Sequence, residues 1–166
     1  MGRYSYIGSD CFMVNVKIGA FCSIADNVVI GGATHPIQYV STSPVFHKGK
    51  NILGKNFATH ESIKTPQTQI ENDVWIGMGS FVKAGVTIHN GAVIGMGSVV
   101  THDVPSYEIW AGNPAKFIKR RFSDEIASPL ENTEWWNFTE AELYEYVGVM
   151  NEPVALIDAL KKESRQ

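Results

Sequence analysis

The sequence predicts a mainly β protein, a parallel β-helix, and three observations carry that prediction. Branched aliphatics recur every six residues at Ile70, Ile76, Val82, Ile88, Ile94 and Val100, and an earlier run gives Ile18, Ile24 and Ile30. The residue after the aliphatic is often small, as at Gly19, Ala25, Gly31, Gly77 and Gly95. Four residues after it comes another small or branched one: Cys22, Val28, Thr34, Ser80, Val86, Ala92, Ser98 and Val104. A period of six fits neither an amphipathic helix nor an alternating strand of this length. It fits short strands that turn a corner every six residues, each aliphatic pointing inward and stacked ~4.8 Å above its copy in the coil below.

The elements follow in order. "IGSDCF", with Ile7 and Gly8, is one more repeat unit, one residue out of phase with Ile18. The two blocks of repeats are out of register, because Ile30 and Ile70 stand 40 residues apart, which is not a multiple of six. A segment is therefore inserted, and residues 36–66, rich in Ser, Thr, Pro, Gly, Asn and Lys, leave the prism as a loop. A loop this long in a compact domain is functional or disordered. His35 marks the break. After Pro105 the pattern changes. Asn113-Pro114 reads as a helix start, an N-cap followed by proline in the first turn, so "PAKFIKRRF" predicts a short helix. "SDEIASPLE", "TEAELYEYV" and "EPVALIDALKKE" predict further short helices. Residues 1–105 are thus expected to form the β-helix with its inserted loop, and 106–166 a helical appendage of the same domain. About four coils leave flat apolar faces and open sheet edges, which predicts reliance on neighbours.

Composition excludes several classes. The chain has 166 residues, suiting one domain, with 44% hydrophobic and 19% charged residues. A net charge of −3 argues against nucleic acid as partner. The one basic cluster, Lys116, Lys119, Arg120 and Arg121, suits a smaller anion. "MGRYSYIGSD" holds no apolar segment of signal-peptide length, and nowhere do ~18 apolar residues run together. No membrane span and a cytoplasmic location are the expectation. Cys11 and Cys22 show neither a CxxC spacing nor a secreted framework, and both fall at inward repeat positions, where a free thiol acts as a small hydrophobe.

The stretches "NVKIGAFCSIADNVVIGGATHP", "TQIENDVWIGMGSFVKAGVTIHNGAVIGMGSVVTHDVPSYEIWAGNPAKFIKRRF" and "WWNF" carry a resemblance. Together they resemble the hexapeptide-repeat acyltransferases, and within them the xenobiotic acetyltransferase group. That group holds chloramphenicol and streptogramin acetyltransferases and many capsule and lipopolysaccharide O-acetyltransferases. The likeness covers about residues 5–138. It implies a left-handed β-helix assembled as a homotrimer, with acetyl-CoA as co-substrate in a groove between subunits and a loop histidine facing the acceptor.

Under that resemblance His35 aligns with the catalytic histidine. Histidine suits the task, because a hydroxyl needs a base to become a nucleophile and imidazole is largely neutral at cell pH. On spacing alone, a surface histidine at a turn fits equally well. Ala84, Gly85, Thr101, Pro114 and Lys116 match the stretch that binds coenzyme A, and Trp75 matches a tryptophan beside the histidine, with simple packing as its other reading. Gly79, Gly85 and Gly97 would let a thin ligand approach the coils. The expected helix N-terminus at "AGNPAKFIKRR", with Lys116 and Arg121, is an anion site. For the acceptor, Tyr39, Ser41 and Thr42 offer hydroxyls, and Tyr6 and Phe46 flat surfaces for a ring.

Three functions are weighed. The first is direct acetyl transfer from acetyl-CoA to a hydroxyl of a surface polysaccharide or lipopolysaccharide precursor. The "HP…STSPVF" loop and a chain that begins almost directly with the coil favour it. The second is the same chemistry on an antibiotic such as streptogramin A or chloramphenicol. The third is a non-catalytic β-helix serving as an assembly subunit, which would be expected to lack both the histidine and the AGNPAK run. A zinc enzyme of the γ-carbonic anhydrase kind needs three histidines on facing strands, including a close pair. His47, His60, His89 and His102 supply no pair within five residues. No metal is expected.

Overall fold

The computed structural model describes residues 1–58 and 60–163. Eleven short strands turn the corners of a three-sided prism. They are β1 (Tyr6–Ile7), β2 (Phe12–Val14), β3 (Val16–Ile18), β4 (Ser23–Ile24), β5 (Val29–Gly31), β6 (Thr68–Ile70), β7 (Trp75–Ile76), β8 (Phe81–Val82), β9 (Thr87–Ile88), β10 (Val93–Ile94) and β11 (Val99–Val100). Strands one coil apart pair in parallel: β1, β4, β7 and β10 in a first sheet, β2, β5, β8 and β11 in a second, β3, β6 and β9 in a third. The hexads fall into this pattern as the spacing predicts, in a left-handed β-helix of the hexapeptide kind. Ile24, Ile76 and Ile94 stack in one interior column, Ile30, Val82 and Val100 in a second, and Ile18, Ile70 and Ile88 in a third, all buried. The second inward set closes the core around them. Cys22, Val28, Val86, Ala92 and Val104 are buried, and so are Ser80 and Ser98, whose hydroxyls donate to the carbonyls of Gly77 (2.7 Å) and Gly95 (2.5 Å). Ile7 pairs beside Ile24, which bears out the early, out-of-phase unit.

One expectation is corrected. The segment after Asn113-Pro114 is not a helix. Residues Glu108–Ala111 form β12, which adds to the first sheet beside β10, and Lys116–Arg120 form β13, antiparallel to β12. Local sequence suited a helix start, but the last coil offered unpaired backbone groups along an open edge, and a hairpin satisfies them. The turn between the two strands docks on the prism end: Val99 donates to the Gly112 carbonyl (2.9 Å), the Ala115 amide donates to Val99 (2.8 Å), and Ala115 is buried on the core. The β architecture therefore runs to Arg120, beyond the expected boundary at 105.

The remaining helices occur where expected: α1 (Asp124–Asn132), α2 (Glu140–Tyr146), opened by a capping box at Thr139 and Glu142, and α3 (Pro153–Glu163). They cover the corner between the third and first sheets. Trp135 meets Phe21 with ring centroids 4.8 Å apart, and the Glu131 carboxylate accepts from Asn90 and Ser106 at 3.0 Å each. No described helix is long and apolar enough to cross a membrane.

Candidate active site

The inserted loop leaves the corner between the second and third sheets, and the chain's exit depends on Gly31. Its φ of +83° lies in the left-handed region, and a β carbon there would stand 2.1 Å from the Val14 carbonyl oxygen, so only glycine fits. Four residues on, His35 is exposed just before the loop's first turn, which Tyr39 closes on the Pro36 carbonyl. Its Nδ1 lies 2.8 Å from the backbone carbonyl oxygen of Thr42. A carbonyl can only accept, so Nδ1 carries the proton and a neutral His35 keeps its Nε2 lone pair free. The Thr42 carbonyl is held by a small knot of serines. Ser41 Oγ accepts from the Ser43 amide (3.1 Å), and Ser43 caps the 3-10 turn Pro44–Phe46. Thr42, expected as an acceptor hydroxyl, serves through its backbone as the group that orients His35.

The other expected residues separate. Tyr39, Ser41 and Phe46 line one open concavity of about 580 Å³ with Gln38, Val40 and His60, and this part of the acceptor expectation converges. Tyr6 stands apart on β1, in the first sheet. Ala84, Gly85 and Thr101 lie at the same corner as His35, between β8 and β9 or just after β11. At Gly85, however, the space is taken by the loop's own base: a β carbon would stand 2.7 Å from Pro66 Cγ. Gly79 and Gly97 stack at the corner between the first and second sheets, where a β carbon would meet nothing within 4 Å. Trp75 projects from the first sheet, 55% exposed, so it is not spent on packing within this chain. Pro114 and Lys116 are exposed on the β12–β13 turn and at the start of β13. Lys116 makes no ion pair among the described residues. The expected helix N-terminus there is a strand.

Arg121 is engaged elsewhere. Its guanidinium donates to Asp73 (3.0 Å) and to the Gly91 carbonyl (2.6 Å) and packs over the rings of Tyr107 and Phe122, fastening the hairpin to the corner beside the helices. Burial raises the Asp73 carboxyl above its ordinary value, against the lowering pull of Arg121. Burial likewise raises the Cys22 thiol, which keeps it protonated and a poor nucleophile. Among the described residues, no group of three or more His, Cys, Asp and Glu side chains comes together.

Sequence reasoning missed a smaller cavity of about 130 Å³ that shares His35. Thr34, His47, Lys48, Lys50, Asn51 and Ser62 are among its walls. The scattered loop positions gave no periodic signal that could have grouped them.

The comparisons with known proteins show the family. Residues 67–102 match the family described as bacterial transferase hexapeptide, six repeats. A probable macrolide acetyltransferase of Lysinibacillus sphaericus is 36% identical over 171 residues, spanning 99% of this chain and 89% of the relative. The chain belongs to the hexapeptide-repeat acetyltransferases. A second member, a chloramphenicol acetyltransferase of Klebsiella aerogenes, is 43% identical over 84% of this chain and 75% of its own length. Among solved structures, the polySia specific acetyltransferase NeuO is 32% identical, with a TM-score of 0.54 over 86% of this chain and 62% of its own. The N-acyltransferase AntD of Bacillus cereus has a TM-score of 0.56 at 21% identity, covering 81% of this chain and 69% of its own, a likeness of fold alone. This hexapeptide-repeat acetyltransferase is thus an enzyme, and the third function weighed, an inert assembly subunit, falls away.

Proposed function

We propose that this chain is an acetyl-CoA-dependent O-acetyltransferase that acetylates a saccharide hydroxyl by direct transfer, with His35 as general base. The observation that carries the proposal is the bond from His35 Nδ1 to the Thr42 carbonyl, which leaves Nε2 as the proton acceptor. His35 Nε2 takes the hydroxyl proton as that oxygen attacks the thioester carbonyl, and returns it to the departing thiolate. The concavity lined by Tyr39, Ser41 and Phe46 combines flat rings with polar groups, the mixture that suits a sugar face. The open space above Gly79 and Gly97 suits the thin pantetheine arm, and the exposed Lys116 a phosphate.

Trp75, Gly79, Gly97 and Lys116 lie away from His35 in one chain. His35 sits at the corner opposite the first sheet, which carries Trp75, and Gly79 and Gly97 occupy a different corner. A second copy that brings its first sheet to the His35 corner joins them, and closed threefold symmetry then makes three such sites. The outer faces of the first and second sheets support this. Tyr6, Trp75, Phe12 and Phe81 are exposed there, while the third sheet presents Lys17 and Gln69. A homotrimer in the cytoplasm, where acetyl-CoA is made, completes the reading.

A second reading has its own observation. The macrolide and chloramphenicol acetyltransferases match at 36% and 43% identity, above the 32% of the polysialic acid enzyme. Acceptance of an antibiotic hydroxyl uses the same base and groove. Thiol release from acetyl-CoA, measured against panels of oligosaccharides, macrolides, streptogramin A and chloramphenicol, separates the two. The proposal expects turnover on saccharides, and turnover on antibiotics alone would overturn it.

A further inference from the structure

The cavity beside His35 has a chemistry of its own. Two side chains on its wall, Thr34 and His47, each hold a buried polar atom without a partner, Thr34 Oγ1 and His47 Nε2. Buried polar groups in folded proteins are almost always satisfied, so a pair of orphans on one cavity needs an explanation. His47 is also unusually fixed for a loop residue, 7% exposed, stacked on Tyr39 at 5.8 Å and bridged along the backbone to His60. The same wall carries Lys48 and Lys50. Lys48 is paired with Glu61, whereas Lys50 has no ion pair among the described residues. The lining includes no Asp or Glu. Hydroxyl, imidazole and ammonium together form a donor-rich, positively biased surface, while the Asn51 amide is engaged within the loop by Pro44, Lys55 and Leu53.

We infer that this cavity is an acceptor subsite for a carboxylate, so that the favoured substrates are acidic saccharides, with Lys50 as the charge and Thr34 and His47 as hydrogen-bond donors. This deepens the saccharide reading above and rests on it. The cavity contains His35, and the reacting hydroxyl must come within hydrogen-bond reach of that imidazole. Whatever else fills the cavity is then more of the same acceptor or the acetyl end of acetyl-CoA, which carries no charge. The phosphates of coenzyme A are the other common anions, but they lie at the far end of the pantetheine arm from the thioester and cannot share a cavity with the reacting groups. A carboxylate on or next to the ring that carries the hydroxyl can.

Two measurements test this separately from catalysis. In the first, a uronic-acid oligosaccharide and its carboxyl-reduced counterpart are compared as acceptors. Wild type should favour the acidic one roughly ten- to a hundredfold in kcat/KM, the range of one charge-assisted hydrogen bond. Lys50→Gln should erase that preference through the acceptor KM and leave the KM for acetyl-CoA unchanged. In the second, glucuronate and methyl glucoside are titrated into the protein while the His47 ring resonances are followed by NMR. Glucuronate alone should shift them, and the shift should be lost in Lys50→Gln and weakened in Thr34→Val. Shifts without acetyl transfer would support the subsite and sink the saccharide-acetylation reading. Equal turnover of both saccharides, or a Lys50→Gln defect confined to acetyl-CoA, would overturn the subsite and leave acetylation standing.

Discussion

Asp73 shows how a residue's environment, more than its type, sets its behaviour. Its carboxyl is shielded at the corner under the helices, and burial raises its pKa above the ordinary 3.8 despite Arg121. The folded chain therefore holds this proton to higher pH than the unfolded chain does. The group's contribution to stability falls as pH rises from about 3.8 through the raised folded value. Asp73→Asn removes the titration, so its stability relative to wild type should rise across that window in denaturant melts at stepped pH. A difference that moves the other way would mean the carboxylate is held below its ordinary value. Arg121 teaches the same lesson. In the sequence it stood in a basic cluster beside a motif for coenzyme A. Its partners Asp73 and Gly91 come from other coils, 48 and 30 residues away, and no local pattern could have revealed them.

Elements were legible in proportion to how far their neighbours are copies of themselves. The hexads were readable because each inward aliphatic stacks on its own repeat, so Ile76 meets Ile24 below and Ile94 above. The loop was legible as an interruption, and His35 with it, but the fold of the loop was not. The knot that turns the Thr42 carbonyl onto His35 depends on Ser41 and Ser43 closing one turn, and the walls of the smaller cavity come from positions 34 to 63. The hairpin of β12 and β13 was misread because its local signals suit a helix while the exposed prism edge decides for a strand. Gly31 governs the loop's exit, which gives an element-scale prediction. Gly31→Ala should lose about 1–3 kcal/mol from backbone strain, and more from the clash with Val14, in chemical denaturation. Gly32→Ala, also at positive φ but with nothing within 4 Å of the added carbon, should lose only the strain. Equal losses would mean that the packing of the exit against β2 is unimportant.

At the scale of the whole molecule, four coils and a hairpin bury one column of aliphatics on each side and leave two outer faces apolar. Trp75, Gly79 and Gly97 sit away from the corner that carries His35, so the proposed reading ties chemistry to assembly. Light scattering should give about 55 kDa, three chains of 18.3 kDa each. An active species of 18.3 kDa would remove both the trimer and the shared site. The central claim is that His35 Nε2, freed by the Thr42 carbonyl, is the base for acetyl transfer. Its most direct test is thiol release from acetyl-CoA by His35→Ala, with circular dichroism confirming the fold, on the best acceptor from the saccharide panel. Turnover should fall ~10²–10⁴-fold with the β-helix intact, whereas turnover near the wild-type rate would contradict the account.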